Sequence, residues 1–378
     1  MKIPFNKPLV FKNEMTNIKK VFQNYRFSGD GEFTKKCSRL METKFGANKV
    51  LLTTSCTHAL EMAFILINLR PGDEVICPSY TFVSTVNAFM LRGARPVFVD
   101  IREDTLNIDE NLIEEKITKK TKAIVPVHYA GVGCNMDKIN KIARKYNLFV
   151  IEDAAQGVNA KYKGEFLGTI GDMGTYSFHE SKNYQCGEGG ALLIKNEFFF
   201  ERAEIIREKG TNRSKFFRGE VDKYTWVDVG SSYLPAEILT AVLYEQLKNM
   251  DVIKKKRKQI FEYYYKNFKD LELREKIRLP VIPVECGTNY HMFYILLSSE
   301  SERNYLLTKL KEKGIYATFH YIPLHTSPTG KKLEYKEGDL PITEKISSQI
   351  LRLPMFYELT EKEQAYVIEN VIKFIQSI

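Results

Sequence analysis

Between about residue 50 and residue 195, short apolar runs alternate with longer stretches in which apolar residues recur every three or four positions. This alternation is the pattern of a mainly parallel sheet with helices on both faces. The apolar runs predict seven strands, at 50–53, 74–77, 96–100, 123–127, 149–153, 174–178 and 190–194. Helices are expected at 57–68, where Leu60, Ala63, Phe64 and Ile67 make one stripe, and at 136–146. The turn Pro71-Gly72-Asp73 and the glycine Gly93 punctuate the first units where helix gives way to strand. After about Lys248 the pattern changes to a long charged helix through Lys269, a short strand at 292–297, a helix at 302–313 and a last helix at 361–375. The expected fold is therefore α/β, a seven-stranded sheet in a large domain over 1–248, followed by a smaller α+β domain over 249–378.

Composition narrows the class without changing this picture. A chain of 378 residues, 44% hydrophobic and 27% charged, suits a globular enzyme of more than one core. Its polar first residues and interrupted apolar stretches lead to the expectation of a cytoplasmic protein with no membrane association. Six cysteines lie far apart without a Cys-x-x-Cys pair, so neither a metal site nor a disulfide framework is expected. The formal charge of +9 favours an anionic partner such as a nucleotide, a polyphosphate or a membrane surface. The densest basic run, 254–258, falls in a helical stretch with Ile253, Ile260 and Tyr263; it reads as a solvated helix face, and no nucleic-acid partner is expected.

A doubly wound sheet invites a dinucleotide, but the glycine fingerprint is missing. Gly29-Asp30-Gly31, Gly131-Val132-Gly133 and Gly187-Glu188-Gly189 each lack the further glycine at the required spacing, and there is no Gly-x-x-x-x-Gly-Lys-Ser/Thr loop for a nucleoside triphosphate. The first strand runs instead into Thr53-Thr54-Ser55-Cys56-Thr57, small hydroxyl residues just before a helix. Free amides and hydroxyls there can hold one compact phosphate, although the run also reads as an ordinary helix cap by Ser55 or Thr57. Asp153 ends an apolar strand on the side where open α/β sheets bind ligands, and a carboxylate there suits a protonated heterocyclic nitrogen. Lys182 lies in the polar loop after the sixth strand run, and lysine is the side chain that condenses with an aldehyde. A phosphate cradle, a carboxylate and such a lysine are together the parts a pyridoxal 5'-phosphate site requires.

Ser177-Phe178-His179-Glu180-Ser181-Lys182-Asn183 with its Gly187-Glu188-Gly189-Gly190 tail, Glu152-Asp153-Ala154-Ala155-Gln156, and the stretch Pro78-Ser79-Tyr80-Thr81-Phe82-Val83-Ser84-Thr85 carry a resemblance. Through them, and over nearly its whole length, the chain resembles the DegT/DnrJ/EryC family of sugar-nucleotide aminotransferases, enzymes of the aspartate aminotransferase fold. The resemblance implies that Lys182 forms the Schiff base with the cofactor, Asp153 partners its pyridine nitrogen, and Gln156 neighbours its hydroxyl. It further implies that Ser177, with Ser55 and the amides of Cys56 and Thr57, holds the phosphate, that Phe82 stacks on the ring, and that His320 and His325 border the sugar. Both histidines, and Phe82 as a core residue, also have purely structural readings.

Many family members carry Asn where this chain has Ser232, a residue that reaches the phosphate of the neighbouring subunit of a homodimer with shared active sites. Ser232 keeps one donor of shorter reach. Further likeness at residues 29–34, 127–132 and 207–214 points to the subgroup that uses L-glutamate to aminate C4 of dTDP-4-oxo-6-deoxy-D-glucose, giving dTDP-4-amino-4,6-dideoxy-D-galactose. Another keto nucleotide sugar, or a related sugar dehydratase, is the alternative; the dehydratases carry His in place of the lysine, which Lys182 argues against.

Overall fold

Strands of the main sheet send alternate side chains into two different cores. Val50 and Leu52 join one and Leu51 the other, while Ala191 and Leu193 join the first and Leu192 and Ile194 the second. With both faces covered, these strands have no polar face, and this is why they read as unbroken apolar runs. The computed structural model describes residues 1–377.

In chain order the strands are β1 (Lys49–Thr53), β2 (Glu74–Pro78), β3 (Arg95–Val99), β4 (Thr121–Ile124), β5 (Phe149–Asp153), β6 (Lys161–Tyr162), β7 (Glu165–Phe166), β8 (Met173–Ser177), β9 (Gly190–Ile194), β10 (Cys286–Gly287), β11 (Phe293–Leu296) and β12 (Ile350–Leu353). Seven of them form one sheet in the order β1-β9-β8-β5-β4-β2-β3. Strand β9 runs antiparallel to both β1 and β8, and the remaining pairs are parallel. All seven expected strands are present, but the fourth ends early, at Ile124. Pro126 has no N–H to continue the ladder, and the chain rejoins β5 only through the bridge between Val127 and Asp153.

The helix Cys56–Leu66 follows β1, and Met136–Tyr146 stands where the apolar stripe places it, its first turn capped by the Asn135 side chain. Two helices before the sheet, Lys12–Gln23 and Glu32–Phe45, lie outside the expected elements. The second is held by one buried side chain from a distant part of the chain. Glu237 accepts hydrogen bonds from the amides of Gly31 at 3.0 Å, Phe33 at 2.8 Å and Thr34 at 3.0 Å, and from the Thr34 hydroxyl. These are donors of a helix N-terminus that the helix itself cannot satisfy. A Cβ at Gly31 would come within 2.5 Å of Glu237 Cδ, so the glycine is required by the clamp. This part of the stretch at residues 29–34 therefore has a structural reason.

Glu237→Ala is expected to strand three buried amides and lower stability by about 3–5 kcal/mol. Urea denaturation measures it, and a loss below about 1 kcal/mol would contradict the clamp.

The long helix Met250–Leu273 serves two cores. Met250 and Ile253 pack with the sheet, whereas Ile260, Phe261, Tyr264, Phe268 and Leu271 join β11, β12 and the helices Glu300–Glu312 and Glu361–Ile375 in a separate core. Ile3 is fully buried in that second core, its N–H donating to Gly314 O at 2.8 Å. The expectation grouped residues 1–248 together; the first residues pack instead with the C-terminal layer. No described helix is long and apolar enough to cross a membrane.

Candidate active site

The carboxyl ends of β5 and β8 open into a cavity of about 650 Å³, closed on its far side by β12 and the segment around His320. Ligands of open α/β sheets are held in the crevice outside the carboxyl ends of the strands. Ser55, Cys56, Thr57, Phe82, Asp153, Gln156, Ser177, Lys182 and His320 all line this cavity. Residues separated by up to 265 positions are thus brought to one place, although the sequence suggested them separately.

At one end sits the start of the helix Cys56–Leu66. Ser55 caps it, its hydroxyl oxygen accepting from His58 N at 3.1 Å. The amides of Cys56 and Thr57, among the described residues, find no acceptor in the chain. The capping reading of Ser55 and the anion-cradle reading therefore coexist, because capping uses the third amide and leaves the first two. Thr57 Oγ1 donates to Ser84 Oγ at 2.8 Å. Strand β9 passes so close that a Cβ on Gly190 would lie 2.3 Å from the Ser55 carbonyl carbon, which explains the last glycine of the Gly-Glu-Gly-Gly tail.

Asp153, 6% exposed, holds the middle of the cavity. Its Oδ1 accepts from Ala155 N at 3.1 Å and its Oδ2 from Thr85 Oγ1 at 2.7 Å. Thr81 Oγ1 stands 2.8 Å from Thr85 Oγ1 and extends the chain of hydroxyls. The preceding residue points to the other face of the strand. Glu152 is fully buried and accepts from His128 Nε2, Gly168 N, Ile170 N and Gly171 N, anchoring the end of β5 from behind. With four donors on one carboxylate, Glu152 fixes the strand that presents Asp153.

Lys182 keeps part of its surface open to the cavity, and among the described residues its Nζ makes no hydrogen bond to the chain. Burial lowers its pKa below that of an ordinary lysine; the thiol of Cys56 and the carboxylate of Asp153 oppose that shift, and Arg352 reinforces it. A larger fraction of neutral, nucleophilic amine results. The loop holds its backbone through Lys182 N donating to His179 O at 2.9 Å.

The remaining expected residues divide. Phe82 is 57% exposed, so it is not a core residue; its ring faces the cavity 6.4 Å from that of Tyr321. Gln156 accepts from Ala130 N at 2.7 Å and donates to Tyr321 OH at 3.0 Å. His320 stacks on Tyr321 at 3.9 Å and accepts from Arg352 Nη1 at 2.5 Å; burial and the charges of Arg352 and Lys182 push its pKa down to about 2. It is a neutral acceptor.

His325 is not brought to the cavity. It is fully buried, its Nδ1 2.8 Å from Ser79 Oγ and its Nε2 2.8 Å from Glu344 Oε1, so both ring nitrogens are used in the fold. The expectation that it borders the sugar gives way to a structural role. Ser232 is exposed and outside the cavity of its own chain, bridged to Glu208. Sequence reasoning missed Thr85, Arg257, His291 and Arg352, all of which line the cavity. Thr85 alone had a local signal, its place in the Pro-Ser-Tyr-Thr-Phe-Val-Ser-Thr stretch.

The donor set fits pyridoxal 5'-phosphate. Two unbonded amides with hydroxyls beside them suit a phosphate, a buried carboxylate suits a ring nitrogen, and an unengaged amine of lowered proton affinity suits an aldehyde.

Comparisons with known proteins agree with this reading. The model of the DegT/DnrJ/EryC1/StrS aminotransferase family matches residues 9–372. The chain is 36% identical to MJ1066 of Methanocaldococcus jannaschii over 91% of this chain and 90% of that protein. It is 32% identical to GDP-perosamine synthase of Escherichia coli O157:H7 over 98% of each. Among solved structures, the PLP form of the putative sugar aminotransferase Spr1654 from Streptococcus pneumoniae superposes with a TM-score of 0.92 at 25% identity, covering 100% of this chain and 99% of that one. A match of this extent over sequence and fold together, with the lysine, the carboxylate and the hydroxyl cradle in one cavity, places the chain in the DegT/DnrJ/EryC1/StrS family of sugar aminotransferases.

Proposed function

We propose that this sugar aminotransferase moves an amino group from L-glutamate to C4 of dTDP-4-oxo-6-deoxy-D-glucose, giving dTDP-4-amino-4,6-dideoxy-D-galactose and 2-oxoglutarate. The observation that carries the reading is the meeting of Lys182, Asp153 and the amides of Cys56 and Thr57 in one cavity. The choice of nucleotide, position and product is supported by the likeness at residues 29–34, 127–132 and 207–214. The protein works in this proposal as a cytoplasmic homodimer, with Ser232 turned toward the neighbouring subunit.

Pyridoxal 5'-phosphate is the cofactor, and when bound it supplies an aldehyde that carries the nitrogen and a ring that accepts the electron pair released at the donor's α-carbon. Ser55, Cys56, Thr57 and Ser177 would hold its phosphate, Asp153 its ring nitrogen in the protonated form, and Phe82 and Gln156 its ring and hydroxyl. Lys182 Nζ takes the proton from the α-carbon of glutamate in the first half-reaction. In the second half it delivers a proton to C4 of the sugar. Phe82 and Tyr321 cover the cavity and limit water at the reacting atoms.

The product is the part most exposed to test. Lys182 delivers the last proton from one side of the cavity, and the orientation of the hexose decides which face of C4 receives it. Incubation with the keto sugar and L-glutamate is expected to yield a product whose H3–H4 coupling in proton NMR is small, as for an axial amine. A large coupling, or amination at C3, would overturn the named product.

A further inference from the structure

The start of the helix Val83–Met90 reaches the cavity through Phe82, Ser84 and Thr85. Phe82 stands at the cap position and has no polar side chain with which to cap the helix. Among the described residues, neither Ser84 nor Thr85 bonds its side chain back to the helix backbone. Both hydroxyls meet side chains of the cavity instead: Thr57 Oγ1 donates to Ser84 Oγ at 2.8 Å, and Thr85 Oγ1 donates to Asp153 Oδ2 at 2.7 Å. Two consecutive residues thus touch two separate parts of the site, the helix start at Cys56 and the carboxylate.

A hydroxyl has one hydrogen to donate and two positions at which to accept. Thr57 directs its hydrogen to Ser84, so its hydroxyl has none left for an anion. Ser84 receives that bond, and its own hydrogen goes to no acceptor among the described residues, although its side chain lines the cavity. On the other side, the Thr85 hydrogen goes to Asp153, so in the 2.8 Å contact between Thr81 and Thr85 it is Thr81 that donates. Thr81 and Thr85 are both buried, and this one-way chain satisfies them and ends on one carboxylate oxygen. The amide of Ala155 holds the other oxygen at 3.1 Å, so Asp153 cannot turn without breaking a bond.

We infer that Ser84 is a hydroxyl donor to the cofactor's phosphate, in the place that the Thr57 hydroxyl gives up, and that Thr85 is the positioning residue that aims Asp153 at the ring nitrogen. The amides of Cys56 and Thr57 supply two donors from one helix start, and Ser84 adds a third from a segment 27 residues further along the chain. A hydrogen bond to an ionised phosphate is stronger than one between neutral groups. Because Ser84 and Thr85 are consecutive in one helical turn, with Phe82 at its cap, a single piece of backbone sets the spacing between phosphate, ring face and ring nitrogen. A turn that holds these groups in place before the cofactor arrives lowers the ordering cost of binding. This inference rests on the roles proposed above for Asp153 and for the amides of Cys56 and Thr57.

Two ligands separate the two roles. The full-length protein, freed of cofactor, is titrated by absorbance with pyridoxal 5'-phosphate, alone and against inorganic phosphate as competitor. In Ser84→Ala the affinities for both ligands are expected to fall by about tenfold. In Thr57→Val, which keeps the Thr57 amide and loses only the hydroxyl, both are expected to stay within about threefold of the wild type. In Thr85→Val the affinity for pyridoxal 5'-phosphate is expected to fall by about tenfold while that for inorganic phosphate is unchanged, and Thr85→Ser, which restores the donor, is expected to recover the wild-type value. A helix start that is merely loosened would weaken both ligands in both variants. Unchanged phosphate affinity in Ser84→Ala, a loss in Thr57→Val as large as in Ser84→Ala, a Thr85→Val loss shared by inorganic phosphate, or no recovery in Thr85→Ser would each overturn the inference. A wild type in which inorganic phosphate does not compete at all would overturn the phosphate role given to the helix start at Cys56, and the inference with it.

Discussion

Lys182→Ala is expected to abolish amine transfer, lowering the rate by at least about 10⁴-fold, because one side chain both captures the cofactor's aldehyde and moves the proton. No second lysine lines the cavity among the described residues, so no neighbour can take over either task. The loss should not come through the fold. Lys182 is an amine whose proton affinity burial has lowered and whose Nζ has no hydrogen bond to the chain, so its removal relieves a desolvated charge. The cofactor-free variant should therefore melt at or above the temperature of the wild type. Single-turnover kinetics with L-glutamate, with a thermal melt of the same preparation, check both halves. A variant within about tenfold of the wild-type rate would remove Lys182 from the mechanism.

Asp153→Asn is expected to leave the cofactor bound and to slow proton transfer from the donor by about 10²- to 10³-fold. The amide can still accept from Thr85 or from Ala155 N, so the geometry survives while the charge that favours a protonated ring nitrogen is lost. A second effect has a definite sign. Burial lowers the Lys182 pKa, and Asp153 is one of the groups that hold it up. Without that carboxylate the pKa falls further, the neutral amine persists to lower pH, and the pH midpoint for cofactor capture by the cofactor-free protein moves down. Stopped-flow mixing with pyridoxal 5'-phosphate across pH measures the midpoint. An upward movement, or proton transfer as fast as in the wild type, would contradict the role given to Asp153.

The sequence reveals the parts of the site that are local in the chain. Asp153 and Ser177 close apolar strands, Lys182 stands in the loop just beyond Ser177, and Ser55 immediately precedes a helix, so strand and helix ends alone place these groups near one rim of the sheet. The far wall is not legible in this way. Arg352 sits in Ile350–Leu353, a run that reads as an apolar strand with one charge on it, and only the packing of β12 against β11 brings it to face the cavity. His320 and His325 show the same limit within one short stretch. Both belong to one polar-aromatic segment, yet His320 meets Arg352 in the cavity while His325 turns into the fold between Ser79 and Glu344. The helix Glu32–Phe45 also escapes notice, because its N-terminal donors are satisfied by Glu237, far along the chain. Each of these depends on a long-range partner that no local pattern announces.

Reduction of the cofactor-loaded protein with borohydride, followed by proteolysis and mass mapping, tests the central assignment most directly, because it converts the bond between lysine and cofactor into a permanent label. The expected result is a single pyridoxyl group on the peptide that contains Lys182. A label on any other lysine, or a loaded protein that takes no label at all, would contradict it.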